Sequence, residues 1–365
     1  MDRELKTLCL TVLALLLLGS AALASQLGMA PALLCLLVST GTWLIIYRAA
    51  WNKREKNRPS EDAPMHMRLG SANRITLLRG ALIAMLAGFL VLPHANTALV
   101  WIAAGLYSMA AILDRLDGYI ARISKSHSLM GAELDTFVDA LGLLIAPVLA
   151  LMYGKIHPLY LLASLAFYLF TLGLNHRIKN GLRVAPLPPS KRRRIFAGFQ
   201  MGFIAFALFP PFQSEQTVIV SLVFLTPLLI GFIIDWMVVS TFTTPQRMES
   251  VLSAPLYYLE TVLLPLLRLG IVVGLVFFAL ESAIPMAQLF IIGAVVLALL
   301  LGILSTVANC IVLLLLCSLW STDLPALHST SLLIAASFSA ILGAGKYSLL
   351  RWDDHWIARR DGEAQ

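Results

Sequence analysis

The chain is 365 residues long, 59% hydrophobic and only 13% charged, with a mean hydropathy of +0.84. Soluble domains carry roughly twice that share of charge, so a water-soluble globular protein is excluded. The net charge of +7 sits in short loops, not in a basic stripe interleaved with aromatics, which excludes a nucleic-acid partner.

Apolar runs at 8–24, 33–47, 77–91 and 291–304 contain at most one charged residue each. A helix of about 20 apolar residues crosses a bilayer. Strands of a closed barrel would alternate apolar and polar positions, and these runs do not. The expected fold class is an all-α polytopic membrane protein of about twelve spans.

The first part, 1–66, is a two-helix lead, with spans at 7–26 and 29–49, followed by the polar linker "WNKREKNRPSEDAPMH" at 51–66. Its opening resembles a signal-peptide core. The n-region "MDRELK" has no net positive charge and a second span follows at once, so a retained helix is expected. The second part, 67–245, holds six spans, at 74–92, 97–121, 132–153, 158–176, 194–211 and 217–240. A second linker, "TFTTPQRMES", covers 241–250. The third part, 251–365, holds four spans, at 257–281, 285–303, 305–321 and 329–350, with Gly302 and Ser305-Thr306 supplying the turn between the second and third. The four cysteines lie in apolar runs without metal-site spacing and read as inert.

Seven basic residues fall in 48–74 and seven in 177–194, whereas the alternate connections carry one lysine in total. Basic loops stay cytoplasmic. This places both basic loops, both termini and the loop 123–130 on the cytoplasmic side (the inner-membrane face, in a bacterium).

Four aspartates break the apolar pattern: Asp114, Asp117, Asp135 and Asp139. Charged side chains in or near a bilayer are costly and mark function. Asp114 and Asp117 are three residues apart at the end of one span. Asp135 and Asp139 are four apart at the start of the next, so each pair shares a helix face. A tight loop would turn the two helices antiparallel and bring four carboxylates together at the cytoplasmic end. Such a cluster needs counter-charge. Hard oxygen donors favour Mg²⁺, Mn²⁺ or Ca²⁺, and Mg²⁺ sites of this kind also take substrate phosphate oxygens. Gly118 would let a ligand approach the backbone, Ala121 is small, and Arg122 offers a planar fork for phosphate. Gly131 reads either as part of the same site or as a close helix-packing position. Without catalysis the aspartates would form a buried counter-ion cluster.

The run Asp114-x2-Asp117-Gly118-x2-Ala121-Arg122-x8-Gly131-x3-Asp135-x3-Asp139 resembles the signature of the CDP-alcohol phosphotransferases. "ANRITLLRG" at 72–80 is similar to the family's first core segment, with Asn73, Thr76 and Arg79 in place and Ala72 where the family often has proline. The resemblance covers about 67–245. It implies transfer of a phosphorylated group from a CDP-linked donor to an alcohol with release of CMP. Asp114, Asp117, Asp135 and Asp139 would hold one or two Mg²⁺ or Mn²⁺ ions on the diphosphate, and Asp139 would be the general base. Asn73, Thr76, Gly118, Ala121, Arg122 and Gly131 would bind CDP or diphosphate. The expected reaction is phosphatidyl transfer from CDP-diacylglycerol to a small alcohol within membrane lipid synthesis. The alternatives are a CDP-linked small alcohol donated to diacylglycerol, or a cation-coupled transporter.

The basic loop 177–194 reads first as orientation charge. Arg177, Arg183, Lys191 and Arg192 are candidates for binding an acceptor phosphate. Asp235 either faces the cavity or pairs with a nearby arginine. The last part faintly resembles the DoxX-like four-helix membrane proteins over roughly 257–352. There Arg268 lies within a span, so it is a functional candidate, or else pairs with Glu260 or snorkels. This part would bind the lipid product or mediate oligomerisation, and a homodimer is kept open.

Overall fold

The computed structural model describes residues 1–92, 96–124, 127–187, 191–281, 284–319, 326–343 and 345–350, without the side chains of residues 122, 191, 192, 318, 319, 326 and 327. Among the described residues the regular structure is helical, apart from an isolated bridge between Ile303 and Leu350. Eight helical segments among the described residues are long and apolar enough to cross a membrane. The all-α polytopic class read from composition therefore holds. The chain forms two compact units, Met1–Tyr153 with Ile204–Pro210, and Gly154–Phe203 with the described residues from Pro211 on.

The first unit begins with α1 (Asp2–Leu27) and α2 (Met29–Asn52), separated by Gly28 alone. Gly28 has φ +88°, a conformation other residues adopt only under strain, and this permits the hairpin. α3 (Ser71–Gly88) packs against α2, α4 (Thr97–Ile123) and α5 (Leu129–Met152). Small residues allow the close approach: a Cβ on Gly88 would lie 2.3 Å from Ser39 Oγ, and one on Gly80 would lie 3.0 Å from Ile46. α3 is accordingly the central helix of this unit, 61% buried over its apolar window against 22% for α1.

The expected linker at 51–66 is not a free tether. After a 3₁₀ turn, Arg54–Lys56, it is fastened to the helices by Asn57, which is 1% exposed. Glu4 of α1 accepts from Leu69 N–H at 2.9 Å and pairs with Arg74 at 3.1 Å, fixing the entry to α3.

In the second unit, α6 (Leu161–Lys179) packs on α8 (Ser214–Val239), with Gly173 seated against the Trp236 ring. α7 (Lys191–Ala207) precedes α8. α9 (Pro245–Tyr258), a π-helical turn (Leu259–Leu263) and α10 (Leu264–Glu281) run on continuously for 37 residues. The second linker is thus shorter than 241–250: Thr244 caps α9 by accepting from Arg247 N–H, and Pro245 suits the first helical turn.

α11 (Met286–Leu301), α12 (Ser305–Leu319) and α13 (Ala326–Leu342) complete the unit, with α13 packed on α8, α10 and α12. Three expected spans are shorter than the sequence suggests, at 16–17 residues for α7, α11 and α13. α7 opens on basic residues, and Gly302 in the left-handed region ends α11. α13 stops at Leu342 instead of running to 350, and residues 320 and 321 of the preceding expected span lie outside the described residues. Residues 345–350 fold back, with Lys346 N–H on Glu260 O and Leu350 N–H on Gly302 O. Arg268 holds this return, donating to Ser348 Oγ at 2.8 Å and Tyr347 O at 2.5 Å. Arg268 is 7% exposed, so it does not snorkel as one reading of its position suggests.

Candidate active site

The four aspartates do converge, but on a third helix. α4 and α5 each pack along α3. What joins them is Arg79 of α3, whose side chain is 0% exposed. One terminal nitrogen, Nη1, pairs with Asp117 Oδ2 at 2.8 Å and Asp135 Oδ1 at 2.5 Å. The other, Nη2, pairs with Asp114 Oδ1 at 2.6 Å and with Asp139 Oδ1. Each nitrogen therefore bridges one carboxylate from α4 and one from α5.

The carboxylates are not equivalent. Asp114, Asp135 and Asp139 have side chains 32%, 41% and 34% exposed, and each offers an oxygen within 4.8 Å of the others. Asp117 is outside this trio. Its side chain is 7% exposed, and its Oδ2 accepts from Thr76 Oγ1 at 3.1 Å as well as from Arg79. With all four ionised, one guanidinium leaves the cluster strongly negative. An all-oxygen donor set, partly open and with excess negative charge, fits a hard divalent cation such as Mg²⁺ or Mn²⁺.

A second network sets where α5 begins. Ser128 caps the helix, its hydroxyl accepting from Gly131 N–H at 3.0 Å. Asn73 of α3 donates to Ser128 Oγ and to Asn57 Oδ1, each at 3.1 Å. Asn57 Nδ2 in turn donates to Arg68 O at 2.9 Å. Arg58 O accepts from Leu129 N–H at 2.9 Å, and Lys53 and Lys56 both reach Glu133. The polar linker thus grips the first turns of the helix that carries Asp135 and Asp139.

The remaining site candidates divide by what they touch. Asn73 and Thr76, both 3% exposed, spend their polar atoms on this scaffold. A Cβ on Gly131 would lie 2.4 Å from Asn73 Oδ1, so close packing accounts for this glycine. Gly118 and Ala121 lie half-buried on α4 beside Asp117. The side chains of Arg122, Lys191 and Arg192 lie outside the described residues. Arg177 donates to Arg183 O at 2.8 Å and Ser240 O at 3.0 Å, tying its loop to the end of α8, while Arg183 is exposed. Asp235 pairs with Arg193 at 3.2 Å, one of the two roles expected of it.

Three participants were not among the expected ligand-binding residues: Arg79 as the hub, and Asn57 and Ser128 as the scaffold. For Arg79 the signal was present, an arginine within an otherwise apolar span. Asn57 carries no such mark.

Residues 69–230 match the family model of CDP-alcohol phosphatidyltransferase. The chain contains a CDP-alcohol phosphatidyltransferase domain. Arg79, Asn73, Thr76 and all four aspartates fall within it, and Asn57 and the helices from α9 onward fall outside. Among curated proteins, a CDP-diacylglycerol--serine O-phosphatidyltransferase of Mycobacterium tuberculosis is 49% identical over 49 residues, 13% of this chain and 17% of its own length. The same enzyme of Mycobacterium bovis matches equally. A CDP-diacylglycerol--glycerol-3-phosphate 3-phosphatidyltransferase of Cereibacter sphaeroides is 37% identical over 70 residues, 19% of this chain and 31% of its own. The chain thus spans less than a third of the length of these relatives. No solved structure matches it.

Proposed function

We propose that this protein is an integral membrane transferase that moves the phosphatidyl group of CDP-diacylglycerol onto a small alcohol and releases CMP. The observation that carries this reading is the meeting of three partly open carboxylates from α4 and α5, within a domain of this family. Both kinds of curated relative are named for CDP-diacylglycerol, which favours the lipid on the donor over the lipid on the acceptor.

Asp114, Asp135 and Asp139 would hold the divalent cation, which when bound supplies Lewis-acid stabilisation of the diphosphate charge. Asp139 takes the proton of the acceptor hydroxyl as its oxygen bonds to the phosphatidyl phosphorus, and the bond from that phosphorus to the CMP oxygen breaks. A carboxylate poised for this needs a fixed rotamer, and its contact with Arg79 Nη2 supplies one. Asp117, held by Thr76 and Arg79, orients the hub. Gly118 and Ala121 would leave room for the diphosphate, and Arg122 would supply charge to it. Asn73 acts through Ser128 on the position of α5. Arg183, Lys191 and Arg192 are the candidate contacts of an acceptor that carries phosphate. The basic-loop asymmetry supports a site at the cytoplasmic face.

The test is CMP release by the purified full chain in lipid, with CDP-diacylglycerol, Mn²⁺ or Mg²⁺, and serine or glycerol 3-phosphate as acceptor. CMP formed with one acceptor and lost on chelation is the expected result. No CMP with CDP-diacylglycerol and any alcohol would sink the reading.

A further inference from the structure

Arg79 is an unusual residue to find fully buried in the middle of a metal-type carboxylate cluster. A charged group in a membrane helix persists only when paired. Here it is paired four times over, through both terminal nitrogens, to helices α4 and α5 at once. Three of its partners, Asp114, Asp135 and Asp139, are also the three whose oxygens lie within 4.8 Å of one another. The guanidinium and a divalent cation therefore call on the same carboxylates.

We propose that Arg79 is a built-in stand-in cation. It keeps the aspartates of α4 and α5 together when no metal is bound, and it lowers the affinity of the site for metal by competing for the same charge. This rests on the metal-site reading above. Arg79 is a positioning residue in this account, acting on the ligands and not on substrate. The electrostatics set two effects in opposite directions. Removing a positive charge a few ångströms from a bound cation strengthens that cation's binding. Removing the same charge from four gathered carboxylates weakens the metal-free protein, because breaking a buried ion pair leaves the partner charges uncompensated. A residue that merely filled space would weaken the fold without tightening metal binding.

The experiment compares the unaltered full chain with Arg79→Gln and Arg79→Lys in lipid nanodiscs. Mn²⁺ affinity is read by electron paramagnetic resonance, and melting temperature is read in chelator and in saturating Mn²⁺. The expected result for Arg79→Gln is a lower melting temperature in chelator, restoration of most of the loss by Mn²⁺, and Mn²⁺ binding at least about tenfold tighter. Arg79→Lys, which keeps the charge, should stay near the unaltered protein in Mn²⁺ affinity. If Arg79→Gln does not survive in chelator, it is purified in Mn²⁺; unfolding on metal removal then supports the proposal. Failure to fold even with Mn²⁺ overturns it, as does Mn²⁺ binding that is unchanged or weaker. No Mn²⁺ bound by the unaltered protein sinks the metal reading and this role together, whereas equal binding by both proteins sinks only the role of Arg79.

Discussion

At the scale of single residues, chemistry and packing can be separated by substitution. Asp139→Asn keeps the shape of the side chain and removes its capacity to take a proton. CMP release is expected to fall about 10²–10⁴-fold with the helical fold intact by circular dichroism. Activity near the unaltered level would remove Asp139 as general base. Gly131→Ala tests packing instead. Its methyl group would meet Asn73 Oδ1 at 2.4 Å, and overpacking of this kind costs about 1–3 kcal/mol. Thermal unfolding should show that loss, and Gly131→Ala should recover part of it when Asn73 is shortened to Ala. The glycine was legible in the sequence as a fixed position but not as a contact. Its neighbour Asn73 is 58 positions away in the chain, and only folding brings them together.

At the scale of elements, the site depends on how α5 is seated against α3. The chain Arg68 O–Asn57–Asn73–Ser128–Gly131 N–H runs from the linker through α3 to the N-terminus of α5. Asn57→Leu removes the middle of it and leaves buried partners unsatisfied, a loss of roughly 1–3 kcal/mol. Because Asp135 and Asp139 ride on α5, kcat should drop while KM for the donor changes little. An unchanged kcat with lowered stability would reduce Asn57 to a structural role. In the second unit, Gly302 is the corresponding test. It has φ +64°, and an added Cβ would meet Arg268 Nη1 and Ser348 Cα, each at 2.6 Å. Gly302→Ala is expected to lower the melting temperature by several degrees without changing Mn²⁺ affinity.

At the scale of the whole molecule, the remaining expectation is orientation. In a variant lacking the four native cysteines, a cysteine at Ile123 should react with a membrane-impermeant maleimide only from the cytoplasmic side. One at Leu159, which is 51% exposed, should react only from the opposite side. The reverse pattern would move the site to the other face and contradict the reading of the basic loops. The family domain ends at 230, yet α13 packs on α8 as well as on α10 and α12. The last helices are therefore joined to the second unit and do not hang free from it.

The amino-acid sequence by itself determined the helical membrane class, because long apolar runs leave the backbone no other way to satisfy its hydrogen bonds in lipid. It also determined the pairs of aspartates on their helix faces, because a helix repeats every 3.6 residues whatever surrounds it. Periodicity says nothing about which helix lies between two others. That α3 stands between α4 and α5, that Arg79 faces all four carboxylates, and that Asn57 closes the scaffold were decided by tertiary packing. These contacts join positions 35–60 residues apart for Arg79 and 16 apart for Asn57. The counter-charge that the four aspartates require was visible as a need; its donor was settled only when small residues let the helices close around it.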